Sequence, residues 1–82
     1  LEPDDPVILT NLGRSLSVLG RDAEAEAALA RAVELDPRRP LARMNYGDHL
    51  ARAGRLEQAV EQYRAAIDLQ PTSRLLKLPV WA

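Results

Sequence analysis

The side chains that could take part in catalysis or bind a metal are few and scattered. His49 is the only histidine, and the chain has no cysteine. A zinc site needs several Cys and His ligands at close spacing, so none is predicted. Glu24 and Glu26 lie two residues apart, which places their carboxylates on different faces of a helix. His49 is expected on a helix surface, and no catalytic residue, metal ligand or cofactor is predicted.

Serine, glycine and charge patterns exclude further classes of function. Ser15, Ser17 and Ser73 lie outside any nucleophile motif, and the glycines are too far apart for a phosphate-binding loop. Eleven basic and 12 acidic residues are interspersed and give a net charge of −1. No basic stripe suggests a nucleic acid or a membrane surface as the partner. No apolar run approaches the roughly 20 residues that span a bilayer. The compartment stays open, with the cytoplasm as the expectation.

Composition indicates an all-α fold. Ala and Leu dominate the apolar residues, Phe is absent, and the aromatic side chains are Tyr46, Tyr63 and Trp81. Ala, Leu, Arg, Glu and Gln all favour helices. Val and Ile are few and Thr is rarer, which disfavours a sheet. The chain is expected to form one small domain of short helices.

A 34-residue internal repeat is the strongest signal in the sequence. Pro3, Pro37 and Pro71 follow one another at this step, and residues 3–36 and 37–70 share ten identities in 34 positions. Chance would give roughly two at typical residue frequencies. The chain therefore contains two copies of one unit.

Each unit reads as a helix, a turn and a second helix. Asp5-Pro6 is typical of a helix start, and Gly20 of a helix end. Leucines spaced by three and four residues predict one buried face of the first helix: Leu9, Leu12, Leu16 and Leu19. The other helices are predicted at about 22–35, 40–53 and 56–69.

Two glycines inside the predicted helices suggest close packing. Gly13 and Gly47 occupy the same phase of the repeat, although glycine costs about 1 kcal/mol relative to alanine inside a helix. We expect Gly13 to face Ala25 and Gly47 to face Ala59, so that the two helices of each hairpin approach closely.

These features resemble the tetratricopeptide repeat, a helix–turn–helix unit that stacks into a right-handed superhelical solenoid. The resemblance rests on motifs such as Asn11-Leu12-Gly13 and Asn45-Tyr46-Gly47. Arg43 and Asp22 depart from it, because the family usually has apolar residues there. The implied units are the end of a preceding repeat (1–5), repeat one (6–39), repeat two (40–73) and a C-terminal apolar tail or partial cap (74–82).

The ends predict self-association. Leu1-Glu2-Pro3 matches the close of a repeat, as if the chain were cut from a longer array. Two units without polar caps would expose apolar end faces, and such patches usually mark interfaces. The tail is too apolar to stay in water, so it is expected to pack on repeat two or on a neighbouring chain. Its apolar residues are Leu75, Leu76, Leu78, Val80 and Trp81.

In the family, the first helices of successive hairpins line a concave groove that binds an extended peptide. The resemblance places three groups there: the asparagines Asn11 and Asn45, the charged residues Arg14, Asp48 and Arg52, and the remaining positions Val7, Thr10, Ser17, Val18, Leu41, Met44 and Ala51. An asparagine amide can pair with both polar groups of a peptide unit, although Asn11 and Asn45 could instead cap or bridge helices. Arg14 and Arg52 could receive an acidic peptide or be solvated charges beside Asp48.

Three functions follow as hypotheses. The first is a protein-interaction scaffold that binds a protein or peptide in the groove and is not an enzyme. The second is a regulatory or substrate-recruiting segment of a larger enzyme, such as a glycosyltransferase or sulfotransferase. The third is a structural spacer or oligomerisation module whose groove binds nothing.

Overall fold

The computed structural model describes residues 4–69, which form two helical hairpins. The helices are α1 (Pro6–Val18), α2 (Asp22–Leu35), α3 (Pro40–Arg52) and α4 (Leu56–Leu69). Helices α1 and α2 pack together, as do α3 and α4, and α3 also contacts both helices of the first hairpin. The predicted all-α class is confirmed, and the boundaries agree within one residue. The predicted tail lies outside the described residues.

Helix starts and ends follow local chemistry. The Asp5 carboxylate accepts a hydrogen bond from the Val7 N–H at 2.8 Å, as an N-cap residue does. Both hairpin turns contain a glycine, Gly20 or Gly54, with φ at +82°. The residue after each glycine donates back into the preceding helix, at 2.9 Å from Arg21 N to Leu16 O and from Arg55 N to Leu50 O. This pairing satisfies carbonyls at the helix end and requires a left-handed residue, which glycine supplies without strain.

The first helix buries Leu9 as predicted, but not the whole predicted leucine face. Leu9, Thr10 and Gly13 are buried, whereas Leu12 and Leu19 are exposed. The reason is that α2 and α3 both pack against α1, so its buried face is the one that these two helices share. The prediction for Leu12 and Leu19 was wrong because the leucine periodicity ignored the helix from the second repeat.

The helical glycines do allow close packing, but against other residues than those predicted. A Cβ atom on Gly13 would lie 2.5 Å from Leu29 Cγ, and one on Gly47 would lie 2.9 Å from the Tyr63 ring. Leu29 and Tyr63 occupy the same position of the repeat, one helical turn beyond Ala25 and Ala59. Ala25 still contributes its carbonyl oxygen, 3.3 Å from the Gly13 Cβ position.

The seam between the hairpins is formed by one face of α3. Ala42, Asn45 and His49 are buried on this face at steps of three and four residues. Ala42 belongs to an apolar cluster with Leu9 and with Ala28 and Ala32 of α2. Ala42 of α3 thus completes the core of the first hairpin.

The described helices are 13 or 14 residues long, and none of them could traverse a lipid bilayer.

Candidate functional site

A concave cavity lies where α1 and α3 run side by side. Its volume is about 430 Å³, within the range of small ligand sites. It is lined by Arg14, Ser15, Ser17, Val18 and Leu19 from the first hairpin and by Asn45, Asp48, His49 and Arg52 from the second. Six of the residues placed in the groove by family resemblance, among them Asn45 and Arg14, therefore line one surface, together with His49.

Asn45 is nearly buried at this surface. It lies on the seam face of α3 between Ala42 and His49, and only 9% of it is exposed. Its amide lines the cavity, and it makes no side-chain hydrogen bond to residues 4–69. A nearly buried amide at a cavity wall usually finds a partner, so Asn45 is suited to bind a ligand.

Asn11 occupies the same phase in α1 but a different environment. It is exposed and does not line the cavity. The face of α1 that corresponds to the seam face of α3 carries Ile8 and Asn11, and no helix of residues 4–69 covers it. The structure therefore does not bring the two asparagines together at one cavity.

Two charged residues of the cavity lining, Arg52 and Asp48, form hydrogen bonds with neighbouring side chains. Arg52 Nη1 donates to Ser17 Oγ at 3.2 Å, which links α3 to α1. The Tyr63 hydroxyl donates to Asp48 Oδ1 at 2.5 Å. This hydrogen bond, together with burial, raises the pKa of Tyr63. Arg14 is exposed at the cavity wall and is the lining cation best placed to meet an incoming group.

Two predicted groove residues take other positions. Thr10 is fully buried, and its hydroxyl donates to the Pro6 carbonyl oxygen at 2.6 Å. Thr10 is not a groove contact, because α1 turns this side chain toward the packed interior rather than toward solvent. Met44 is exposed on α3 but lies outside the cavity lining.

His49 was predicted on the surface, and that prediction was wrong. Its side chain is 4% exposed, with Nδ1 3.3 Å from Ser17 Oγ and Nε2 3.6 Å from Glu26 Oε1. Spacing with Ala42 and Asn45 places His49 on the same face of α3, but it does not show that this face is buried. Without knowledge of the seam, the pattern gave no reason to prefer that face.

Ser17, His49 and Glu26 lie side by side in the arrangement of residue types found in a catalytic triad. The geometry does not support one, because 3.6 Å is too long for the hydrogen bond that orients the histidine. Ser17 also lies in the last turn of α1, where carbonyl groups rather than N–H donors point outward. That end of a helix disfavours a developing oxyanion. The three residues instead connect α1, α2 and α3.

An ion pair extends this connection to the second turn. Arg55 Nη1 lies 2.7 Å from Glu26 Oε1, so the residue after Gly54 holds α2 of the other hairpin. The hydrogen bond from Arg55 holds the pKa of Glu26 below its ordinary value, although burial opposes the shift; the charges of Arg55 and His49 lower it further. The same bond raises the pKa of Arg55. Within residues 4–69, no three acidic, Cys or His side chains cluster as metal ligands would.

Known proteins share the repeat. A family model described as tetratricopeptide repeat matches residues 10–74. Small glutamine-rich tetratricopeptide repeat-containing protein 2 of Mycosarcoma maydis is 30% identical over 77 residues, which cover 94% of this chain and 22% of that protein. A TPR repeat-containing protein of Dictyostelium discoideum is 32% identical over 89 residues, which cover 98% of this chain and 34% of that protein.

The chain thus spans about a third or less of the length of these curated relatives. The family match, however, covers most of the chain. The two hairpins, their glycine turns and their helical glycines repeat at the same step of 34 residues. The chain therefore belongs to the tetratricopeptide repeat family.

Proposed function

We propose that the chain is a non-catalytic protein-interaction segment that binds an extended peptide or a partner helix in the groove between α1 and α3. Repeats of this family commonly mediate protein–protein interactions. The observation that carries the proposal is the concave cavity of about 430 Å³ with the Asn45 amide in its wall.

The lining suits a peptide backbone more than a specific side chain. The Asn45 amide offers both a donor and an acceptor, so it can pair with the N–H and C=O groups of one peptide unit. Arg14 adds one exposed cation at the wall, and an acidic side chain of the ligand could pair with it. Val18 and Leu19 supply apolar contact from α1.

A peptide-array screen with matched asparagine variants tests this proposal. Asn45→Ala should lose most of the peptide capture, because it removes both hydrogen-bonding groups from the cavity. Asn11→Ala is the matched control, since Asn11 has the same repeat position but lies outside the cavity lining. It should capture peptides as the parent chain does. Thermal melts of both variants establish that each is folded.

The outcomes separate the hypotheses. Equal capture by the parent and by folded Asn45→Ala would exclude Asn45 as a peptide contact. An equal loss of peptide capture in both variants would show that the peptide does not bind specifically at this cavity. No capture by any of the three proteins would favour the spacer hypothesis.

Self-association is the second part of the proposal. The exposed α1 face carries Ile8 and Leu12, and the exposed α4 face carries Val60 and Ile67. Stacking the α1 face of one copy on the α4 face of another would repeat the contact that α3 makes with the first hairpin. Such head-to-tail contacts extend into open assemblies.

Sedimentation velocity over a wide range of protein concentration tests this stacking. The sedimentation coefficient should rise at the highest concentrations, and Ile8→Asp should suppress the rise by placing a charge in the contact. A chain that stays monomeric at every concentration would contradict the proposal.

A further inference from the structure

The cavity between α1 and α3 carries opposite charges at one and the same repeat position. Arg14 of α1 and Asp48 of α3 are 34 residues apart, which is one step of the repeat. Both side chains are exposed, and both line the cavity. The first hairpin therefore offers a guanidinium to a ligand at the position where the second hairpin offers a carboxylate.

Asp48 is oriented by a side chain that the first hairpin lacks. The Tyr63 hydroxyl donates to Asp48 Oδ1 at 2.5 Å, so the carboxylate lies on the side of α3 that faces α4. The equivalent of Tyr63 in the first hairpin is Leu29, which has no hydroxyl, and the equivalent of Asp48 there is Arg14. One hydroxyl leaves most of the acceptor capacity of a carboxylate unused. Asp48 can accordingly still bind a cationic group.

Arg52, the other arginine of the lining, increases the separation of charge. Its Nη1 atom donates to Ser17 Oγ of α1 at 3.2 Å, so its guanidinium extends toward the first hairpin and away from α4. None of the ion pairs within residues 4–69 joins Arg52 to Asp48. The cavity is therefore positive on the side of α1 and negative on the side of α4.

The separation of the two equivalent positions fits a short stretch of extended peptide. Helices α1 and α3 run in the same direction, because α2 returns the chain between them. Packed helix axes lie roughly 8–10 Å apart, and equivalent positions on two such helices are separated by about the same distance. Extended chain advances about 3.3 Å per residue, so roughly three residues of a ligand span the gap.

We propose that the groove selects an extended peptide that carries an acidic and a basic side chain about three residues apart, the acidic one on Arg14 and the basic one on Asp48. This inference rests on the proposed function, because it assigns side chains to a peptide that the groove must first bind. The Asn45 amide pairs with the backbone of any such peptide, whereas complementary charges discriminate between sequences. Tyr63 acts through Asp48 and is a positioning residue.

An array of capped peptides in a serine and alanine background tests the charge pattern. One set carries a single glutamate and a single lysine at short and long spacings and in either order. Further peptides carry glutamate alone, lysine alone, two glutamates, two lysines or no charge. The parent chain should capture the mixed pair at a spacing of about three residues best, roughly two- to fivefold above the singly charged peptides, as expected for one exposed ion pair.

Variants that remove one group each assign the peptide charges to their partners. Asp48→Asn should weaken capture of the mixed peptide roughly two- to fivefold and leave the peptide with glutamate alone unchanged. Arg14→Gln should weaken the mixed peptide similarly and leave the peptide with lysine alone unchanged. Tyr63→Phe keeps the ring that packs on Gly47 and removes only the hydroxyl. It should reduce the contribution of the lysine and not that of the glutamate, whereas a purely structural role would reduce both.

Glu61→Gln and Arg64→Gln are the matched controls. Both residues are exposed on α4 and lie outside the cavity lining, and the two substitutions change the net charge as Asp48→Asn and Arg14→Gln do. Both controls should capture every peptide as the parent chain does. Circular dichroism establishes that all variants stay helical. Losses in the controls equal to those in the cavity variants would overturn the inference, because overall charge alone would then explain them.

The array separates failure of this inference from failure of the proposed function. Equal capture of mixed, singly charged and uncharged peptides would overturn the charge selection and leave peptide binding intact. Stronger capture of peptides with two glutamates than of the mixed pair would overturn the role of Asp48. No capture of any peptide by the folded parent chain would contradict the proposed function itself.

Discussion

The two hairpins have the same backbone but use equivalent residues differently. The arginine after each glycine turn shows this clearly. Arg21 pairs with Glu24 of its own helix at 2.7 Å, whereas Arg55 reaches Glu26 of the other hairpin, also at 2.7 Å. The second helices differ as well, since Leu29 is fully buried while Tyr63 is half-buried.

The difference teaches that position in the stack decides what an equivalent residue does. A residue at the seam has a neighbour from the next hairpin, and the same residue at an end does not. Asn45 and His49 are buried because α3 has a hairpin on its N-terminal side, while Asn11 and Ser15 are exposed at the same phase. The groove therefore belongs to the seam and is absent from either hairpin alone.

The largest expected difference between the hairpins concerns Gly13 and Gly47, which occupy equivalent positions in α1 and α3. Gly13→Ala should destabilise the fold, because its Cβ would lie 2.5 Å from Cγ of the fully buried Leu29. Overpacking costs about 1–3 kcal/mol, and the gain in helix propensity offsets about 1 kcal/mol of it. A net loss of up to about 2 kcal/mol in the free energy of unfolding would lower Tm by about 8–16 °C. Thermal and urea melts measure both quantities.

Gly47→Ala is the control that makes the comparison sharp. Its Cβ would meet the Tyr63 ring edge at 2.9 Å, but this ring is half-buried and can tilt outward. The propensity gain should then roughly cancel the contact, so that Tm changes little. An equal loss of stability in both variants would show that Leu29 and Tyr63 are equally unable to move away from the added Cβ. The two hairpins would then not differ in this respect.

Much of this fold could be predicted from the sequence because the repeat supplies local signals twice. The Asp5 cap and the Gly20 and Gly54 turns are encoded within a few residues, and the helix boundaries followed from them. Ala28 and Ala32 of α2 are buried four residues apart, at the spacing of one helix face. These features depend on one hairpin at a time.

Apart from the partners of Gly13 and Gly47, the errors concern the contact between hairpins. Leu12 and Leu19 were expected inside, and His49 was expected on the surface, because a single-helix pattern cannot show which side the next hairpin covers. Thr10 was placed in the groove by analogy of position, although its hydroxyl bonds to its own backbone inside the packed seam. Seam geometry, not helix propensity, decides these cases.

A smaller effect is expected from the ion pair that joins the hairpins. Glu26→Gln removes the charge that Arg55 binds and His49 faces. It should lower Tm at neutral pH by a few degrees at most, because Glu26 and Arg55 are both partly exposed. The pKa of Glu26 is lowered in the fold from its ordinary value of 4.5. Its contribution to stability is thus present above pH 4.5 and is lost as the pH falls through the lowered folded-state pKa. The difference in Tm between parent and variant should shrink over that acidic range.

Glu24→Gln separates a seam contact from an ordinary surface pair. Glu24 binds Arg21 at the same 2.7 Å, but within one helix and with both side chains more than half exposed. Such a pair contributes little to stability, so Tm should hardly change at any pH. Added salt should screen the Glu24 pair more completely than the Glu26 pair. If the two variants lose the same stability with the same salt dependence, Glu26 and Arg55 are only a surface pair, and the seam depends on its other contacts, such as the apolar cluster around Ala42.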